Sequence, residues 1–178
     1  MNNRKVILYI AASLDGYIAS ANDELRFLSV VRVPGEDYGY NAFVNTVDTV
    51  IIGRKTFDIV QTFPGDFPHK GRKCYVLSKT KTGSDNNAEF YNGAVATLIA
   101  ALKKQEGKDI FVDGGAEIVF EMMKHNLIDR YVISIIPYLL GNGIALFKPY
   151  RSEQELKLID SKVFPSGLVQ LHYEPVTV

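Results

Sequence analysis

Cysteine is nearly missing from this sequence and tryptophan is missing altogether: Cys74 stands alone among 178 residues. A single cysteine excludes an internal disulfide and any zinc site built on thiolates. Neither sign of charge is in excess, because 20 basic residues meet 20 acidic ones. That balance argues against a chain that coats nucleic acid or an anionic membrane, since both select a basic excess. No apolar run reaches the roughly twenty residues of a membrane helix. Met1-Asn2-Asn3-Arg4-Lys5 leads straight into a strand pattern rather than a signal peptide. His69, His125 and His172 stand apart with no pair at ligand spacing, and each is expected on the surface or in a loop rather than on a metal. Walker, zinc-protease and nucleophile-elbow patterns are absent. A reducing cytoplasm fits this composition. What is present, 47% apolar and 22% charged residues, suffices to bury one full core, and a single domain over 1–178 is expected.

The most informative stretch is Asp109-Ile110-Phe111-Val112-Asp113-Gly114-Gly115-Ala116-Glu117-Ile118. Ile110 to Val112 is a β-branched and aromatic run that reads as a buried strand. After the glycine pair, residues 116–123 have helical spacing, with Ile118, Val119, Met122 and Met123 on one side. A helix start offers unpaired N–H groups and the positive end of the dipole to a phosphate. Glycines admit a ligand to the backbone where a Cβ would collide. The same turn also serves plain strand-to-helix packing, so alone it does not decide.

The rest of the chain supplies context. Residues 5–12 (KVILYIAA) read as a central strand, followed by an Asp15-Gly16 turn and a polar loop to Glu36 that can act as a flap. A helix is expected over 37–47, from Tyr40, Phe43, Val44 and Val47. Then come a strand at 48–52, the turn Gly53-Arg54-Lys55-Thr56, a short helix over 56–62, and a strand at 73–77 ending in Ser78-Lys79-Thr80-Lys81. A short strand at 89–91, a helix at 94–104 and a long strand at 127–137 follow. Gly141-Asn142-Gly143 lacks a third glycine and reads as a hairpin turn. Residues 155–163 and 168–176 alternate around Pro165-Ser166-Gly167 as a terminal hairpin. This order predicts an α/β fold with a mainly parallel central sheet, helices on both faces and an antiparallel C-terminal hairpin. Ligands of such sheets bind beyond the carboxyl ends of the strands. Here those ends carry glycine, hydroxyl and cation together, at 12–15, 53–56, 78–81 and 113–116. Backbone amides suit a diphosphate, while Arg54, Lys55, Ser78 and Lys79 suit a 2′-phosphate, so the residues point to NADPH.

AASLDGYIA at 11–19, VIIGRKTF at 50–57, YVLSKT at 75–80, IFVDGGAEI at 110–118, LIDRYVISIIPYLLGNG at 127–143 and LF at 146–147 follow one another in a familiar order. In these pieces, which span almost the whole chain, the sequence resembles the dihydrofolate reductase-like superfamily. It is most similar there to the reductase domain of bifunctional riboflavin-biosynthesis proteins and their stand-alone bacterial relatives. The resemblance implies a three-layer dihydrofolate reductase-like fold. It places Ala12, Gly16 and Ile18 along the nicotinamide, and Gly53, Arg54, Lys55 and Thr56 on the diphosphate and 2′-phosphate. Ser78 and Lys79 would serve the 2′-phosphate and adenine end. Gly114-Gly115 would be the family's glycine pair, often with a cis peptide, with Ala116, Glu117 and Ile118 beside it. Asp37 lies at the spacing of the pterin-binding acid of dihydrofolate reductases, and Asp113 sits where riboflavin-type reductases carry a Glu. Each is a candidate to touch substrate and supply a proton; the plain readings are a helix cap for Asp37 and a turn-stabilising group for Asp113.

The implied activity is NADPH-dependent reduction of 5-amino-6-(5-phosphoribosylamino)uracil or a related small heterocycle. The alternatives are a dihydrofolate or pterin reductase and a non-catalytic NADPH-binding protein. No His-x-Glu with Pro-Cys-x-x-Cys is present, so no deamination is implied. The 21–35 segment matches no classical dihydrofolate reductase loop. A homodimer through the C-terminal hairpin and the 133–140 stretch is expected, as in riboflavin-type reductases.

Overall fold

The computed structural model of the chain describes residues 4–149 and 153–176, so the leading Met1-Asn2-Asn3 lies outside the described residues. The elements in order are β1 (Val6–Ser13), β2 (Tyr17–Ala19), α1 (Tyr40–Val44), β3 (Val47–Gly53), α2 (Arg54–Val60), β4 (Lys73–Leu77), β5 (Gly83–Ser84), β6 (Glu89–Tyr91), α3 (Val95–Lys103), β7 (Asp109–Gly114), α4 (Ala116–Lys124), β8 (Arg130–Ile136), β9 (Ile144–Ala145), β10 (Leu156–Val163) and β11 (Val169–Pro175). Among the described residues nine strands form one sheet, in the order β10-β11-β8-β1-β7-β3-β4-β6-β5. β8, β1, β7, β3, β4 and β6 run parallel, and β5, β10 and β11 pair antiparallel to their neighbours.

The central strands read as continuous apolar runs because both faces are covered. On one face, Val95, Leu98, Ile99 and Leu102 of α3 and Val119 and Met122 of α4 pack on Val6, Leu8, Ile51 and Val112. On the other, Phe43 of α1 and Phe57 and Val60 of α2 pack on Tyr9, Val50, Ile52 and Phe111. This is the three-layer, dihydrofolate reductase-like architecture that the sequence implied, C-terminal hairpin included.

Four local expectations change. The helix expected over 37–47 shrinks to Tyr40–Val44. Tyr38 and Gly39 hold positive φ angles before it, and Val47 is drawn into β3 opposite Asp109 of β7. The next helix begins at Arg54, not Thr56. The loop over 21–36 contains a 3-10 helix, Arg26–Val31, whose Phe27 and Val31 are buried with Ile136 and Leu168. The 139–143 turn does not fold β9 back on β8; β9 pairs with β2, and Gly143 lies so close to the Ala19 carbonyl that a Cβ has no room.

Glu174 joins β11 to β8 and to the chain before β1, accepting from Lys5 Nζ at 3.0 Å and Arg130 Nη2 at 2.6 Å. Arg130, and after it Lys5, hold the Glu174 carboxyl below the usual range. A folded-state value below the unfolded one stabilises above the ordinary glutamate range, and that stability is lost as pH falls through the folded value. Glu174→Gln is therefore expected to flatten the acid limb of a melting-temperature-against-pH curve. At neutral pH it costs less than about 1 kcal/mol, since the group is partly solvated and screened.

Candidate functional site

The parallel strands end along one edge. Ser13 pairs with Ile136, Ile52 with Gly114 and Gly53 with Leu77, so the carboxyl ends of β1, β8, β7, β3 and β4 line up. α2 and α4 start there, each directly after a glycine. The Gly114–Gly115 peptide is cis, and Gly114 has φ +106. A Cβ on Gly53 would stand 3.1 Å from Ile118 Cγ1 and 3.4 Å from the Gly114 carbonyl oxygen; one on Gly115 would stand 3.0 Å from Thr56 Oγ1. The two strand–glycine–helix turns therefore touch, and their glycines are required for packing as well as for access to any ligand. Sequence reasoning saw two separate turns; the sheet order makes them one cradle.

The other expected cofactor residues fall along the same edge. Ala12 is buried at the end of β1, and Ile18 packs on the main core from β2. Gly16 holds φ +86, and its carbonyl accepts the Leu146 N–H at 2.9 Å. Arg54 forms an ion pair with Asp58 on the outer face of α2, and Lys55 is exposed. Ser78 Oγ accepts the amide of Lys81 at 2.9 Å, and Lys79 is exposed beside it. At the start of α4, Ala116 and Ile118 are buried, while Glu117 pairs with Lys148. Asp15, read from sequence only as a turn former, clamps the mouth. Its carboxylate accepts Ser13 Oγ at 2.5 Å and the amides of Leu140 at 3.1 Å and Gly141 at 2.7 Å. The Ser13 hydroxyl does most to hold it below the ordinary range.

A cavity of about 470 Å³ lies on the α1 side of the sheet and reaches Ile136 at the end of β8. Tyr9, Ala11, Tyr38, Tyr40, Ser134 and Ile136 are among its walls, with Asp37 and the 3-10 helix at its rim. Tyr9 Oη donates to the Tyr38 carbonyl at 3.0 Å and accepts from Gln170 Nε2 at 3.1 Å, which also reaches Ser134 Oγ at 3.1 Å. Sequence reasoning missed this floor, because Gln170 and Ser134 lie on different strands that only β11–β8 pairing brings together. Burial raises the Tyr9 phenol, against the lowering effect of Gln170; burial first and Asp113 second push Tyr40 up to about 12. Both are neutral donors at physiological pH.

The two candidate acids differ in surroundings. Asp37 lies on the cavity rim, but its oxygens accept the amides of Gly39 at 2.8 Å and Asn41 at 3.0 Å. Those amide bonds, Asn41 first, hold its carboxyl below the usual range, so it braces the start of α1, whose N-cap is Gly39, and is a poor proton source. Asp113 stands on β7 directly before the glycine pair, on the face that carries Tyr40, and keeps 22% of its side chain exposed. Its partner is His69, whose Nε2 lies 3.0 Å from Asp113 Oδ2. His69 lies in a loop, one of the two places expected for it, but it is buried there at 2% exposure rather than on the surface. The available sequence signal was the alternation of Phe67 and His69 between Asp66 and Lys70. Cys74 is buried, and burial followed by Asp113 pushes its thiol up to about 12, so it offers no nucleophile.

Among the described residues no group of three or more His, Cys, Asp or Glu is placed to hold a metal ion, and no helix is long and apolar enough to cross a membrane. The edge does fit a dinucleotide phosphate. It offers backbone amides at two helix starts, hydroxyls at Thr56 and Ser78, cations at Arg54, Lys55 and Lys79, and a cradle that only glycines leave open.

The model of the RibD C-terminal domain family matches residues 4–170. The chain is 40% identical over 171 residues to the uncharacterized protein YwjB of Bacillus subtilis (strain 168), covering 96% of this chain and 97% of that one. Its structure is similar to that of a putative riboflavin biosynthesis protein from Shewanella sp. PV-4, with TM-score 0.89, 32% identity and coverage of 97% and 99%. Two more distant likenesses bear on the fold alone. One is a diaminohydroxyphosphoribosylaminopyrimidine deaminase/5-amino-6-(5-phosphoribosylamino)uracil reductase from Thermotoga maritima, at TM-score 0.74 and 16% identity, covering 98% of this chain and 57% of that one. The other is a dihydrofolate reductase from Enterococcus faecalis complexed with NADP(H), at TM-score 0.67 and 14% identity, covering 98% of each.

Proposed function

The chain belongs to the RibD C-terminal domain family, and from that membership we propose that it is an NADPH-dependent reductase of 5-amino-6-(5-phosphoribosylamino)uracil or a related small heterocycle. One observation carries the reading: two glycine turns meet at the carboxyl end of the sheet with cations along the same edge, and the α1 face of that sheet holds an aromatic-lined cavity of about 470 Å³. The turns suit a phosphate and the cavity suits a planar ring. The Thermotoga maritima reductase, named for 5-amino-6-(5-phosphoribosylamino)uracil, and the Enterococcus faecalis dihydrofolate reductase, complexed with NADP(H), suggest the two ligands.

In this reading Gly53 to Thr56 and Gly114 to Ile118 hold the diphosphate. Arg54, Lys55, Ser78 and Lys79 hold the 2′-phosphate end, and Ala12, Gly16 and Ile18 flank the nicotinamide. The bound cofactor supplies the hydride. Tyr9, Tyr38 and Tyr40 enclose the heterocycle, and Asp113 holds or passes the proton that reduction requires. Arg54 leaves Asp58 for the phosphate, exchanging one charge-assisted pair for another. Titration with NADPH and NADH tests this. NADPH is expected to bind at micromolar concentration, about tenfold or more weaker in Arg54→Ala, with NADH little changed. Binding of neither nucleotide would overturn the reading.

Asp37 on the cavity rim favours a second reading, reduction of a pterin. Methotrexate-sensitive turnover of dihydrofolate would support it, and a cofactor-binding enzyme without that turnover removes it. A single domain over 1–178 working in the cytoplasm, with no nucleic-acid or membrane partner, suits the neutral, cysteine-poor composition. A homodimer completes the proposal. Every residue of the edge strand β10 is exposed, including Leu156, Leu158, Ile159 and Val163, and an apolar edge of that length calls for a cover. Light scattering is expected to give twice the chain mass, and a monomer would remove the idea.

A further inference from the structure

His69 is buried, touches a candidate catalytic acid, and has no task in the reading above. It sits in Pro68-His69-Lys70-Gly71-Arg72 between α2 and β4, where the Lys70 N–H meets the Phe67 carbonyl at 2.9 Å and the Arg72 N–H meets the His69 carbonyl at 3.0 Å. These two tight turns point Phe67 and His69 inward while Lys70 pairs with Asp66 in solvent. The imidazole stands edge-on to Phe67, with centroids 5.3 Å apart at 85°, and to Phe111, 5.7 Å apart at 78°. Its two nitrogens differ. Nε2 lies 3.0 Å from Asp113 Oδ2, and Nδ1 is buried with no hydrogen-bond partner among the described residues.

A proton on Nδ1 would be a buried donor with nothing to receive it, whereas a bare lone pair there forfeits less. A proton on Nε2 is received by the Asp113 carboxyl. Of the two tautomers the surroundings thus select the one with its proton on Nε2 and Nδ1 bare. The arms of this contact come from different parts of the chain. Phe111 and Asp113 sit two apart on β7 and so face the same side of the sheet, and Phe67 closes over the ring from the loop.

We propose that His69 is a positioning residue: an Nε2–H donor that fixes one oxygen of Asp113 and so sets the direction of the other toward Tyr40. This rests on the reading of Asp113 as the proton-handling acid. His69 itself moves no proton in the reaction, because its second nitrogen has no route to exchange one.

The test has two arms. In the uniformly 15N-labelled, unliganded chain, the ring signals that vanish in His69→Gln are expected to be those of a ring protonated at Nε2 with Nδ1 bare. An imidazolium, or a ring protonated at Nδ1, overturns the proposal. In the second arm, NADPH oxidation is followed with 5-amino-6-(5-phosphoribosylamino)uracil. His69→Leu is expected to lower kcat about tenfold or more with KM little moved, as loss of a group that orients an acting residue does. His69→Gln, whose amide can reach as a donor, recovers most of that loss. His69→Leu adds no further loss in an Asp113→Asn background. Equal losses in both backgrounds, or a change in KM alone, overturn it. If the wild type does not turn this compound over, that choice of substrate fails by itself. The ring state and the melting-temperature coupling of His69→Leu with Asp113→Asn then decide the pairing, additive shifts counting against it. Should His69→Leu not fold, the ring state and His69→Gln carry the test.

Discussion

Asp113→Asn is expected to lower kcat about a hundredfold or more in NADPH-dependent reduction while NADPH affinity stays close to that of the wild type. The substitution keeps volume and shape, and the amide oxygen can still accept the His69 Nε2–H that lies 3.0 Å from the carboxyl now. What it removes is the ability to bind and release a proton. The proposed cofactor seats are the backbone amides of the glycine turns and the cations of α2 and the β4 end, none of which changes. A loss confined to kcat therefore separates proton handling from binding. Steady-state kinetics with a parallel NADPH titration check it. Unchanged kcat would return Asp113 to its plain reading as a turn-stabilising group. Asp37→Asn is the natural comparison, because Asp37 is already engaged by the Gly39 and Asn41 amides and its loss is expected to act on α1 rather than on proton transfer.

Asp48→Ala is expected to destabilise the fold by about 3–5 kcal/mol, the cost of leaving a buried cation without its partner. The Arg4 guanidinium is 3% exposed and lies behind the sheet end opposite the site. It pairs with Asp48 and donates to the carbonyls of Lys108 at 2.6 Å and Leu102 at 3.2 Å and to Thr49 Oγ1 at 2.7 Å. Asp48 in turn accepts the Lys108 amide at 2.7 Å, so one carboxylate ties the chain before β1, the start of β3 and the approach to β7. Gly107 lies so close to both that a Cβ there would collide with the Asp48 carboxylate. Without Asp48 the guanidinium has no anion and little water. A fall in melting temperature of about 10 °C follows for a chain of this size. Chemical denaturation of the singles and of Arg4→Met/Asp48→Ala checks the mechanism. The double is expected to lose clearly less than the sum of the two, since apolar replacement of a buried pair removes the stranded charge.

Much of the architecture was legible because its signals are local. Val6 to Ala12 and Ile110 to Val112 are apolar without interruption, which only a doubly covered strand tolerates, and 155–163 with 168–176 alternate as a hairpin must. The glycine turns at 53 and 114–115 declared themselves by composition. Resemblance over most of the chain supplied the family. Where local pattern and tertiary demand disagreed, the sequence reading failed. Val47 continues the helical spacing of Tyr40, Phe43 and Val44, yet pairing with Asp109 of β7 makes it the first residue of a strand. The apolar 144–147 segment suggested the return arm of a hairpin, but β2 and not β8 receives it.

The site divides the same way. Candidates to meet a phosphate are picked by residue type and by their place just past a strand end, so Gly53 to Thr56, Ser78, Lys79 and Gly114 to Ile118 could be proposed from the sequence. Sheet order decided that two of these turns touch, and strand pairing decided that Gln170, Ser134 and Tyr9 share a cavity floor. The burial of His69 against Asp113, 44 residues away, came only from packing. Periodicity registers neighbours within one strand or helix. It carries no information on which strand lies beside which, and the contacts among Tyr9, Ser134 and Gln170 are made between strands.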